Sequence, residues 1–179
     1  MPYRDIKFDK MASSYDKGSK SKILDWFYRP LLDQVEVKPG MALLDVGCGT
    51  GTILHRISEK VAIQGYGIDL EEKMIAEAKK KCPDMDIQVA SCDKTPFDDH
   101  QFDTITACLA HHHFSDKKGF AREAARILKP GGKLHIADPR FPWLVRKTIN
   151  GILKLFRVVG FFGSPQEIFD NFREYGFQL

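Results

Sequence analysis

No run of 18 apolar residues occurs in the sequence, which excludes a membrane-spanning helix. The chain opens Met-Pro-Tyr-Arg-Asp, without the apolar segment of an export signal, so a cytoplasmic protein is expected. Cysteine is scarce and unpatterned. Cys48, Cys82, Cys92 and Cys108 show no C-x-x-C spacing, and four reduced thiols are expected rather than a disulfide framework. Net charge is also low: 27 Lys and Arg against 24 Asp and Glu leave +3, too little to argue for nucleic acid. Nor is there a basic tract interleaved with aromatics that would stack bases. Internal repeats and low-complexity tracts are absent. What remains, 179 residues that are 43% hydrophobic and 28% charged, is one domain long enough to bury a core.

Past the first forty residues, strand-like and helix-like patterns alternate. A helical pattern at 20–35 closes on the turn Lys38-Pro39-Gly40. Strands are expected at 41–46, 64–69, 86–90, 102–108 and 132–137. Helices are expected at 52–60, 71–82 and 116–128, the last ended by Lys129-Pro130-Gly131-Gly132. Such alternation implies an α/β domain, a doubly wound and mostly parallel sheet with helices on both faces. Ligands of open sheets of this kind sit beyond the carboxyl ends of the strands, near the switch in strand order.

Three strand ends carry chemistry. The first is Asp45 through Gly51, where the apolar run Ala42, Leu43, Leu44, Val46 gives way to Gly47, Gly49 and Gly51 and then a helical pattern. Glycines there permit a sharp turn and close approach of backbone to a ligand. The spacing is G-x-G-x-G, not the G-x-G-x-x-G that aims a pyrophosphate at a helix N-terminus. Asp45, two positions before the first glycine, places a carboxylate at the lip. That suits a cationic, amino-bearing ligand and repels phosphate, which points to S-adenosylmethionine. The second end is Gly67-Ile68-Asp69-Leu70. Asp69 stands eighteen residues beyond Gly51, near the spacing at which a carboxylate accepts from ribose hydroxyls, though it could equally cap the following helix. The third is Ala90-Ser91-Cys92-Asp93-Lys94, where Asp93 can accept from an exocyclic amine or sit in solvent.

In order along the chain come Phe8-Asp9-Lys10-Met11-Ala12-Ser13-Ser14-Tyr15-Asp16, Leu44-Asp45-Val46-Gly47-Cys48-Gly49-Thr50-Gly51, Gly67-Ile68-Asp69, Asp93, Phe102-Asp103-Thr104-Ile105, His112-His113-Phe114 and Ala125-Arg126-Ile127-Leu128-Lys129-Pro130-Gly131-Gly132. With these pieces the chain resembles class I S-adenosylmethionine-dependent methyltransferases, near the quinone-biosynthesis branch. The resemblance implies a Rossmann-like fold in a single domain, with an N-terminal lid and helical segment at 1–39, a core at 40–139 and a C-terminal helical segment at 140–179. It implies that Asp69, with Leu70 beside it, holds the ribose and Asp93, with Cys92, the adenine amine. The loop of Asp45, Gly47, Cys48, Gly49, Thr50 and Gly51 would take the methionine end. Backbone at Ala107 and Cys108 would line the sulfonium side, and Met74 would pack on the adenine. The family sheet has seven strands ending in a hairpin. The sequence given reaches Tyr175-Gly176-Phe177-Gln178-Leu179 where the sixth strand would begin, so a sheet without the hairpin is expected, with the fifth strand an open edge and a homodimer a candidate partner.

Methyl transfer requires no metal, and consecutive histidines make a poor metal site because their side chains diverge. A base is needed only if the acceptor must lose a proton. Candidates are Tyr15 with Asp16, and His111, His112 and His113, although His112 or His113 could instead anchor the following helix. Residues 141–162 form the chain's most individual segment. As a helix, Arg146, Lys147, Asn150, Lys154 and Arg157 share one side, while Leu144, Val145, Ile149, Ile152, Leu153, Leu155 and Phe156 fill the other. Such a helix can lie on an anionic membrane as a peripheral contact, or pack its apolar side on the sheet with a solvated basic face. The acceptor expected is a small, apolar molecule. The competing expectation is a cofactor-binding regulatory or partner subunit without catalysis.

Overall fold

The computed structural model describes residues 12–16, 19–156 and 160–179. Residues 8–11 of the N-terminal motif and Arg157 lie outside them. Helix α1 (Ser19–Gln34) precedes β1 (Ala42–Val46), α2 (Thr52–Ser58), β2 (Gln64–Asp69), α3 (Glu72–Lys81) and β3 (Asp86–Val89). There follow β4 (Phe102–Cys108), α4 (Lys117–Ile127), β5 (Leu128–Ala137), α5 (Trp143–Leu155) and α6 (Pro165–Arg173). The five strands pair in parallel in the order β3-β2-β1-β4-β5. The chain thus moves outward from β1 to β3 and returns to β1's other side with β4. That reversal is the switch point, and the crevice opens beyond the carboxyl ends of β1 and β4.

β1 is buried along its whole length because helices cover both faces of the sheet. The period of two divides its side chains. Leu44 and Val46 join Phe102, Ile105, Phe120, Ile127 and Phe172 in one core, whereas Leu43 joins Tyr28, Leu31, Leu54, Ile57 and Ile75 in the other. In the first core Tyr66, Phe97 and Phe102 meet edge to face, with centroids 4.9–5.7 Å apart.

Two elements differ from the sequence expectation. β5 begins at Leu128 rather than at 132: Leu128 pairs with Phe102, and a register irregularity before Thr104 absorbs the Lys-Pro-Gly-Gly stretch. Among the described residues β5 stands at one edge of the sheet. The larger difference is α5, which spans Trp143–Leu155 and turns its apolar stripe outward. Its half-buried side is Arg146, Ile149, Asn150 and Leu153. The Asn150 amide donates to the Phe162 carbonyl and its carbonyl accepts from the Phe162 N–H, both at 3.0 Å, while Arg146 pairs with Glu167. The backbone of Phe162 needs polar partners, and Asn150 of α5 supplies both. The expected packing of the apolar side onto the sheet is therefore overturned.

Candidate functional site

The site is built where β1 and β4 end. Gly47, Gly49 and Gly51 all have left-handed φ, at 70°, 52° and 76°. The N–H groups of Gly47 and Cys48 both donate to the Ile68 carbonyl, at 2.8 and 2.9 Å, which draws the loop across the end of β2. A Cβ at Gly47 would stand 2.5 Å from the Ala110 Cβ, so only glycine lets this loop meet the turn after β4. That turn leaves through Leu109, a non-glycine residue at φ 54°.

Asp69 locks the loop. One carboxylate oxygen accepts from the Gly49 N–H and the other from the Glu71 N–H, both at 2.9 Å. It does not cap α3, whose N-cap is Glu71 with no side-chain hydrogen bond. Asp45 lies beneath the loop rather than at its lip, 2% exposed, accepting from the Thr106 hydroxyl at 2.7 Å. Burial, against the Thr106 hydrogen bond and with the charge of Asp69 adding to it, pushes its carboxyl up to about 7.

These residues open on a cavity of about 470 Å³. Asp45, Gly47, Cys48, Gly49, Thr50, Asp69, Leu70, Met74, Cys92 and Cys108 line it, as does Ser91. Three residues expected there do not. Gly51 packs against α3, where a Cβ would approach Ala78 to 3.2 Å; Ala107 is wholly buried in the sheet core. Asp93 lies one turn away, accepts from the Ser91 hydroxyl and is packed beside Gly119 of α4. Sequence reasoning missed Tyr28, Leu109, Ala110, Phe114 and Ser115. Only the last four carry a signal, their position directly after β4. Burial pushes the Cys92 thiol up to about 12 and raises those of Cys48 and Cys108, so the thiols are neutral walls.

Tyr15 also lines the cavity, and burial raises its hydroxyl. The segment that carries it is fastened by Asp16, which accepts from Lys81 at 2.6 Å, from Thr52 at 3.0 Å and from Thr50. The Lys81 ammonium donates as well to Thr52 at 2.7 Å and Thr50 at 3.1 Å. Burial acts to raise the Asp16 carboxyl, and these donors outweigh it, holding it below the ordinary range. The Oδ2 of Asp16 thus carries the clamp, while its Oδ1 is buried without a hydrogen-bond partner among the described residues. Nothing in the run Lys79-Lys80-Lys81 distinguishes the residue that closes the clamp.

The three histidines form one 3-10 turn and divide in role. His111 is buried among Phe114, Phe120 and Phe172, with Nδ1 3.7 Å from Asp138. His112 Nδ1 lies 2.9 Å from the other Asp138 oxygen, and its ring stacks on Phe162 at 4.5 Å. Burial acts to raise the Asp138 carboxyl, but the two imidazoles hold it far below the usual range. His112 is an anchor outside the cavity. His113, its ring 4.0 Å from that of His112, does line it.

No lysine or arginine occurs among the described residues that line the cavity. Three acidic residues, Asp45, Asp69 and Glu71, with bare backbone and neutral apolar walls, suit a ligand that bears hydroxyls and positive charge, and oppose a phosphate. The same residues fit an adenosyl group joined to a sulfonium amino acid. The donor set needs no metal, and the described residues hold no group of three or more His, Cys, Asp and Glu placed to bind one.

Residues 44–136 match the family model described as "Methyltransferase domain". The chain is 33% identical over 163 residues to nocamycin O-methyltransferase of Saccharothrix syringae, which covers 85% of this chain and 56% of that protein. It is 31% identical over 142 residues to demethylmenaquinone methyltransferase of Chlorobaculum tepidum, covering 75% and 59%. The chain therefore spans little more than half the length of these curated relatives. Its backbone superposes with a TM-score of 0.80 and 26% identity on a chain of the solved Haloferax volcanii complex between the Trm112 methyltransferase activator and its partner, covering 95% of this chain and 76% of that one.

Proposed function

We infer the function from one premise, that the chain belongs to the class I S-adenosylmethionine-dependent methyltransferases, on the side of the quinone-biosynthesis enzymes. We propose that it binds S-adenosylmethionine in the cavity beyond β1, β2 and β4 and directs methyl transfer to a small, apolar acceptor. The observation that carries this reading is the cavity's charge: Asp45, Asp69 and Glu71 on its wall, with no lysine or arginine among its described lining residues.

When bound, S-adenosylmethionine supplies a methyl group on a sulfonium, a leaving group that needs no further activation. The residues of this chain then bind and orient. Asp69, held by Gly49 and Glu71 at the cavity wall, is the carboxylate placed to accept from a vicinal diol. Asp45 stabilises a cationic ligand in its ionised form. Met74 and Leu70 present apolar surface for a purine face. Cys108, Leu109 and Phe114 give a dry wall, and Tyr28 and Tyr15 close the side towards α1. Fixing the two reactants in line is worth roughly 7–11 kcal/mol of the barrier. Where the acceptor carries a proton, His113 is the group proposed to take it, because it is the imidazole that lines the cavity, which Asp16 and His112 do not.

Calorimetric titration with S-adenosylhomocysteine, then transfer of radiolabelled methyl to a panel of quinols, phenols and amines, tests the reading. Binding with transfer to an apolar member is expected. Binding with transfer to none would assign a non-catalytic subunit instead, and absence of binding would overturn the cofactor assignment.

A further inference from the structure

We propose that the outward face of α5 docks the protein on an anionic membrane surface, the helix lying in the plane of the interface. Leu144, Ile152, Leu155 and Phe156 are 68%, 50%, 77% and 66% exposed. In projection they fall within an arc of about 120°, and Lys147 and Lys154 stand together on its flank. A solvated helix normally shows water its polar side. Here Asn150 and Arg146 are taken up by Phe162 and Glu167, Ile149 and Leu153 are half-buried beside them, and the other apolar residues are left without a partner among the described residues.

Charge selects the occupant. Positions 139–160 carry Arg140, Arg146, Lys147, Lys154 and Arg157 and no acidic residue. Of these, Arg146 is neutralised by Glu167. An apolar stripe flanked by unopposed lysines matches an anionic lipid surface, whose acyl boundary takes the stripe and whose headgroups take the ammonium groups. A second copy laid symmetrically on this face would set Lys147 and Lys154 against themselves with no carboxylate in the segment to relieve them. Trp143, 61% exposed with the Lys147 ammonium 5.1 Å over its ring, adds the amphipathic indole favoured at the headgroup level. No described helix is long and apolar enough to cross a membrane, so α5 lies on the surface.

The consequence for the site rests on the methyltransferase reading. Phe162, held by Asn150 of α5, stacks on His112, and the Phe161 N–H donates to the His112 carbonyl at 2.8 Å. The next residue, His113, lines the cavity. Docking of α5 therefore sets the cavity beside the bilayer, from which an apolar acceptor can enter.

The full chain is mixed with vesicles of phosphatidylcholine alone or of equal parts phosphatidylserine, and sedimented. Binding is expected only to the anionic vesicles. Lys147→Gln with Lys154→Gln should weaken it on the order of 30-fold, and Leu144→Gln with Leu155→Gln should abolish it. In a Trp26→Phe background the Trp143 emission should shift to the blue on binding. Equal binding to both vesicles, or none, or indifference to both variant pairs overturns the proposal. So does a solution dimer that the leucine variants dissolve, which would assign the face to a second copy. Because all substituted positions are exposed, each variant should bind S-adenosylhomocysteine as the parent does. A parent that binds S-adenosylhomocysteine but no vesicles refutes docking alone, and a parent that does not bind S-adenosylhomocysteine refutes the cofactor reading.

Discussion

Asp45 keeps 2% of its surface, one hydrogen bond from Thr106 and the charge of Asp69 near it, so its carboxyl holds a proton up to about pH 7. In the unfolded chain it ionises at the ordinary 3.8. Between those values the native state binds more protons, and stability must fall as pH rises through the window and level off above it. At about 1.4 kcal/mol per unit the full window amounts to at most about 4 kcal/mol. Asp45→Asn keeps an acceptor for Thr106 but has no charge to bury. Urea midpoints between about pH 5 and pH 8 should therefore decline in the parent and stay flatter in the variant; parallel profiles would refute the buried carboxyl. Asp69 makes a different prediction. Asp69→Ala strips acceptors from the Gly49 and Glu71 N–H groups at once, which should cost about 2–3 kcal/mol of stability and lower S-adenosylhomocysteine affinity more than tenfold by calorimetry. Both aspartates were visible in the sequence because each follows an apolar strand run. What the sequence did not show was depth: its spacing put Asp45 at the rim, whereas the hydroxyl that holds it comes from Thr106, on a neighbouring strand 61 positions away.

Elements of the sheet were legible because burial on both faces leaves apolar runs, and the glycines and Lys38-Pro39-Gly40 punctuate them. The parts that were not legible depend on which polar group finds which partner. α5 has the composition of a helix that packs its leucines inward, yet Asn150 and Arg146 fix it the other way round through Phe162 and Glu167. α6 begins with a capping box, Ser164 and Glu167 bonding each other's backbone with Pro165 in the first turn, a local signal that strand and helix alternation alone passes over. Ser164→Ala should cost about 1 kcal/mol in chemical denaturation without changing S-adenosylhomocysteine affinity, since α6 takes no part in that cavity. The clamp on the 12–16 segment behaves oppositely. Lys81→Met leaves Asp16 with hydroxyl partners only, and the segment that brings Tyr15 to the cavity loses its one cationic tie among the described contacts. Hydrogen exchange at the Tyr15 amide, which donates to the Ala12 carbonyl, should accelerate while sheet amides keep their protection. Unchanged exchange would show that the clamp is dispensable.

Across the whole molecule, one sheet separates two cores, and the cavity collects residues from β1, β2, β4 and the segments after them. A ligand there bridges loops that belong to both halves of the fold, so its binding energy adds to global stability. At a hundredfold excess over its dissociation constant a ligand contributes about 2.7 kcal/mol. For a chain of this size that corresponds to a rise in melting temperature of roughly 5–10 °C. S-adenosylhomocysteine should produce such a rise in the parent and little or none in Asp69→Ala. NAD shares the adenosine but would bring a pyrophosphate against Asp45 and Asp69, in a cavity with no described lining lysine or arginine to offset its charge. It should leave the melting temperature unchanged at the same concentration. Equal shifts from the two ligands would mean that adenosine alone is recognised and that the carboxylates do not select. A shift from NAD alone would overturn the reading of the glycine loop as one built for a cation.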